Sequence, residues 1–177
     1  SIDASKNVTK LYSTSFSMVI KLLYKNIHDA IFSIYGFVRL ADEIVDTFHD
    51  YPKSEMLQEF KEETYKALDR KISVNPILHA FQMVVNKYSI DRDLIDKFLL
   101  SMEQDLNDIQ YSSVGYKEYI VGSAEVVGLM CLKVFVNGDN DLYFKLEEPA
   151  RKLGAAFQKI NFLEVTIIDK TLEFFLS

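Results

Sequence analysis

Two carboxylates, Asp42 and Asp46, stand one helical turn apart in AIFSIYGFVRLADEIVD, the segment from Ala30 to Asp46. At 100° per residue Tyr35, Arg39, Asp42 and Asp46 fall within about 60° of one another, because their spacings are four, three and four. The rest of the segment is apolar almost all round, with Ile31, Ile34, Val38 and Val45 on one flank and Phe37, Leu40 and Ile44 on the other. A helix of that kind is buried. Burial raises the cost of keeping both carboxylates ionised, so something cationic must face them. Arg39 is one candidate, although it is equally well placed to hold an anion bidentately. Magnesium, or manganese in its place, is the other: it takes hard oxygen ligands and often bridges one or two carboxylates to substrate phosphates. An Asp-x-x-x-Asp pair beside an arginine, lining an apolar bundle, suits a metal-diphosphate site for a greasy substrate. An ordinary acidic patch with an intrahelical ion pair has the same spacing.

Two further stretches carry unusual residue types. Gly122, Ser123, Ala124 and Gly128 cluster within two turns of an apolar segment. Glycine inside a helix costs roughly 1 kcal/mol relative to alanine. Such small residues admit either a closely packed neighbouring helix or a long apolar ligand. Nearer the C-terminal end, Gly154, Gln158, Asn161, Val165 and Asp169 share one stripe, spaced four, three, four and four. His28, His49 and His79 have no metal-ligand spacing to Cys or to one another and read as solvated or satisfied histidines.

The elements that position these residues are helices. Apolar residues recur at three and four throughout. The pattern predicts helices over Asp3 to Leu23 and Lys25 to Phe48, and a charged surface helix beginning at Pro52. Others are predicted from Asn75-Pro76 to about Lys87, from Ser89-Ile90-Asp91 through Asn107, and from Tyr116 to Val136, closed by Asn137-Gly138-Asp139. The last begins near Asp141, is unsettled around Pro149 and continues past Asn161. No convincing strand appears, so the fold class is all-α, a helical bundle forming one domain over residues 1–177.

Composition agrees. Of 177 residues 49% are hydrophobic, including 13 Phe and 10 Tyr, enough to build a core and exclude bulk disorder. With 6 Gly and 3 Pro there is too little punctuation for a many-stranded sheet. A net charge of −6 argues against a nucleic-acid partner. Cys131 is alone, so no internal disulfide is available and nothing points to an oxidising compartment. The richest apolar stretch, Tyr119 to Val136, is interrupted by Glu125 and Lys133 and cannot span a bilayer, and the polar first residues lack a signal-peptide core. A cytoplasmic protein is the expectation.

Three ordered segments resemble signatures of the squalene/phytoene synthase family: YSTSFSMVIKLL (Tyr12 to Leu23) running into AIFSIYGFVRLADEIVD, then YIVGSAEVVGLMCLKVF (Tyr119 to Phe135), then LGAAFQKINFL (Leu153 to Leu163). The resemblance implies an isoprenoid-synthase bundle that joins two prenyl diphosphates head to head through a cyclopropyl diphosphate. It assigns Asp42 and Asp46 to the metal, with Asn161 and Asp169 opposite. It places Tyr35, Arg39 and the hydroxyls of Ser13, Thr14 and Ser15 at the diphosphate, although the last three by themselves read as polar residues on a helix surface. Ala124 and Gly128 fall to the prenyl-binding wall, where the resemblance favours a tunnel over helix packing, and Gln158, on the stripe of Asn161 and Asp169, falls to substrate binding. Geranylgeranyl diphosphate converted to phytoene by way of prephytoene diphosphate, a step of carotenoid biosynthesis, is the implied reaction, since SAEVVGLMCLKVF reads closer to that branch. Farnesyl diphosphate converted to squalene or dehydrosqualene is the alternative. A monomer with a peripheral membrane contact for product release is expected.

The chain departs from the family pattern where a second Tyr gives way to Val121 and where an Arg-Asp pair gives way to Glu164-Val165. The resemblance ends near Leu163 and related enzymes are longer, so the chain is expected to be C-terminally incomplete or degenerate. A catalytically inactive helical binding or assembly module is therefore a third reading.

Overall fold

The computed structural model describes residues 1–12, 24–48, 50–106 and 121–156, and among these the regular structure is helical. α1 spans Ile2–Tyr12, α2 Lys25–Asp46, α3 Lys53–Arg70, α4 Pro76–Tyr88 and α5 Arg92–Leu106. A single π turn, Val121–Glu125, leads into α6, Val126–Val136. α7 covers 140–156.

α2 is the central element, packed against α1, α3, α4, α5 and α6. Its apolar flank explains why. Phe37, fully buried, stacks on Phe81 of α4 with ring centroids 3.9 Å apart and planes 3° apart. Phe60 of α3 and Phe98 of α5 lie 5.5 and 5.4 Å from the same ring. Aromatic packing of this kind adds to the burial of apolar area that drives folding. Ile34, Leu78, Ile95, Leu129 and Met130 complete the sealed interior. α1 crosses α2 closely at Gly36, where an added Cβ would stand 2.9 Å from Ser5 Cβ.

Local chemistry sets the helix ends. Asn75 caps α4, its Oδ1 accepting from the backbone N–H groups of Ile77 and Leu78, and Pro76 supplies the first helical residue, as predicted. Pro52 instead takes the capping position and α3 starts at Lys53. α6 closes on Asn137 and Gly138, both at positive φ, and Asp139 then caps α7 by accepting from Leu142 N–H at 2.9 Å.

Two expectations are corrected. α7 runs unbroken through Pro149. Pro149 is exposed, so its missing N–H leaves a carbonyl in the preceding turn that water can reach. The stretch expected to open the sixth helix as regular α-helix is instead the π turn at 121–125, around Gly122, Ser123 and Ala124. Residues 116–120 of that prediction lie outside the described residues.

Candidate functional site

The acidic stripe lies on the C-terminal half of α2. Tyr35 and Asp42 are half-buried there, and Asp46 is exposed in the last helical turn. Arg39 is 25% exposed and Glu43 16%, and the two form an ion pair with Nη2 2.9 Å from Oε2. The intrahelical pair weighed from sequence is thus present, but its acid is Glu43 and neither Asp42 nor Asp46.

The electrostatics follow from this arrangement. Burial, and after it the neighbouring Asp46, push the Asp42 carboxyl up to about 7 from an ordinary value of 3.8. Asp105 and Glu43 add to the push, and Arg39 opposes it. Asp105, at the end of α5, did not emerge from the sequence. The signal was there: it stands seven residues after Phe98, within about 20° of it on the face that buries Leu94, Phe98 and Met102. An acid continuing an apolar stripe marks a place where charge meets the core.

A second local rule is broken. The end of a helix carries negative partial charge and favours cations, yet the last turn of α2 contains Glu43 and Asp46 and no basic residue. The compensation comes from outside the helix, where Lys53 Nζ donates to the Val45 carbonyl. Acids gathered at the wrong helix end, one of them partly desolvated, make a further cation favourable there.

Among the described residues no group of three or more His, Cys, Asp or Glu is arranged to hold a metal. Asp42 and Asp46 alone still fit magnesium, which accepts one or two carboxylates and completes its shell with phosphate oxygens and water. Their donor chemistry and the repulsion between Asp42 and Asp46 suit such an ion. Asn161 and Asp169, expected opposite, lie outside the described residues, as do Ser13, Thr14, Ser15, Gln158, Glu164 and Val165. The side chain of Val121 does also.

Ala124 and Gly128 are described, and their neighbour is α7. An added Cβ on Gly154 would stand 2.5 Å from the Ala124 carbonyl oxygen, and one on Gly128 would stand 3.0 Å from that of Ala150. Close helix packing therefore accounts for both glycines. Arg151 spans the same junction, 2.8 Å from Glu147 and 3.6 Å from Glu125 of the π turn.

Among the described residues the chain is a helical bundle whose central helix carries an Asp-x-x-x-Asp pair. A solved structure described as a dehydrosqualene synthase in complex with ligand is similar to it with a TM-score of 0.78 at 22% identity, over 92% of this chain and 55% of that one. The model of the squalene/phytoene synthase family matches residues 9–172, and the chain belongs to that family. The 4,4'-diapophytoene synthase of Staphylococcus haemolyticus (strain JCSC1435) is 24% identical over 162 residues, which are 88% of this chain and 54% of that protein. The chain thus spans about half the length of these relatives. Among the described residues no helix is long and apolar enough to cross a membrane.

Proposed function

We propose that the acidic stripe of α2 is half of a magnesium-dependent site at which two prenyl diphosphates are condensed head to head. One observation carries this: Asp42 and Asp46 sit a turn apart on the central helix while the only cation of their stripe, Arg39, is paired with Glu43. Magnesium, when bound, would neutralise the departing diphosphate and so favour its release from the allylic carbon. Asp42 and Asp46 would hold that ion, and Arg39, at the same end of the helix, would donate to diphosphate oxygens from its planar fork. Tyr35 on the same stripe would direct a hydroxyl toward the diphosphate. The apolar flanks of α2 would keep water from the allylic cation. Asn161, Asp169, Gln158 and the hydroxyls of Ser13, Thr14 and Ser15 would complete the site, and Ala124 would line the prenyl chain.

For substrate length, the likeness to a dehydrosqualene synthase and to a 4,4'-diapophytoene synthase favours the C15 reading, farnesyl diphosphate to dehydrosqualene. The SAEVVGLMCLKVF segment favoured geranylgeranyl diphosphate and phytoene. The test is turnover of each labelled diphosphate with magnesium, scoring released diphosphate and the length of the hydrocarbon. A C30 product supports the first reading and a C40 product the second. A folded helical chain that releases no diphosphate from either would overturn catalysis in favour of a binding module.

A further inference from the structure

We propose that Glu43 is a positioning residue that holds Arg39 away from the Asp42–Asp46 pair and so keeps the pair available to a divalent cation. This rests on the metal-diphosphate reading of the same stripe. On the helix surface Asp42 lies about 60° to one side of Arg39 and Asp46 about 20° to that same side, whereas Glu43 lies about 40° to the other. The guanidinium therefore has a choice between acids on its two sides. It takes Glu43, at 2.9 Å, with both side chains mostly sheltered from water at 25% and 16% exposure.

The choice has a chemical consequence. An arginine lying across Asp42 and Asp46 would neutralise the pair, and a divalent ion would then have to displace a bidentate partner. Held on the Glu43 side, Arg39 would leave the two carboxylates to the ion and stay next to them on the helix, where it would bind an anion. Glu43 thus separates two functions that would otherwise cancel, anion binding by Arg39 and cation binding by the aspartates. An ordinary i,i+4 pair contributes a few tenths of a kcal/mol to the helix and has no such consequence.

The two roles differ in a double-mutant cycle on metal binding, which needs no turnover. Mn2+ binding to the full chain is titrated by electron paramagnetic resonance with inorganic diphosphate present, for the unmodified chain, Glu43→Gln, Arg39→Gln and the double variant. Glu43→Gln is expected to weaken Mn2+ binding about tenfold, the scale of losing a residue that orients a metal site. In the Arg39→Gln background the same change is expected to cost under about threefold, because no guanidinium remains to fall onto the aspartates. Glu43→Asp, one methylene shorter, keeps the carboxylate and is expected to lose about threefold; it carries the test should the Gln variant not fold. An unchanged Mn2+ affinity in Glu43→Gln, or an equal loss in both backgrounds, would overturn the positioning role and leave the metal site standing. An unmodified chain that binds no Mn2+ would overturn the metal site, and this inference with it.

Discussion

The two faces of α2 solve opposite problems within the same 22 residues. On one face Phe37 is buried completely against Phe60, Phe81 and Phe98, and every neighbour agrees with every other. On the other, Asp42 is drawn partly out of water beside Asp46, Asp105 and Glu43, and its neighbours conflict. Consistency across levels is what specifies a fold, and local conflict marks the places that a fold maintains for another purpose. The aromatic face makes the helix, and the acidic face uses it.

The sharpest way to break this comparison is to cut each face in turn. Phe37→Ala should lower unfolding free energy by about 4 kcal/mol, because a fully buried ring leaves a cavity that four helices cannot collapse into. Denaturant titration reads it directly. A loss under about 1 kcal/mol would mean that the stack around Phe37 is not the centre of the core.

Asp42→Asn should act in the other direction. The folded-state value of Asp42, about 7, lies above its ordinary 3.8, so the folded chain binds the proton more tightly than the unfolded one. The stabilising effect of that proton is complete below 3.8 and is lost as pH rises toward and through about 7. Asparagine has no charge to bury and escapes the loss. The full shift would correspond to about 4 kcal/mol, and the water still reaching this half-buried side chain reduces the expected gain to about 2 kcal/mol. Unfolding at pH 8 without divalent ions should therefore show Asp42→Asn more stable than the unmodified chain, with the difference shrinking toward pH 4.5. On the proposed function, the variant should also lose at least about a hundredfold in condensation. A variant less stable at pH 8 would show that the acidic face is structural.

Much of this contrast was legible in the sequence. The buried helix, the stripe Tyr35, Arg39, Asp42 and Asp46, and the capping Asn75-Pro76 all follow from spacing, which a rigid helix converts directly into geometry. What did not follow needed knowledge of neighbours. Arg39 has acids at i+3, i+4 and i+7, and only packing decides that it takes Glu43. Asp105 reaches the field of Asp42 from another helix, a pairing no single-helix period encodes. The π turn at 121–125 and the continuity of α7 through Pro149 depend on which backbone groups neighbouring elements or water satisfy.

The junction of the π turn with α7 gives the smallest effects and the finest test of why its small residues are there. Gly→Ala inside a helix is intrinsically favourable by about 1 kcal/mol, since alanine loses less freedom on folding. At Gly154 that gain meets a contact of 2.5 Å with the Ala124 carbonyl oxygen, an atom of the backbone that cannot rotate aside. Overpacking of this kind costs about 1–3 kcal/mol, so Gly154→Ala should destabilise by about 1 kcal/mol net. At Gly128 the nearest atom is the Ala150 carbonyl oxygen at 3.0 Å, which needs to yield only a few tenths of an ångström. There the two contributions should nearly cancel, leaving Gly128→Ala within about 0.5 kcal/mol of the unmodified chain. Thermal unfolding of the pair tests the packing of these glycines. Packing predicts that stability ranks them by contact distance, Gly154→Ala below Gly128→Ala. A Gly128→Ala variant that keeps its stability but loses affinity for a prenyl diphosphate would show that this glycine also faces the prenyl chain, beyond its packing against Ala150.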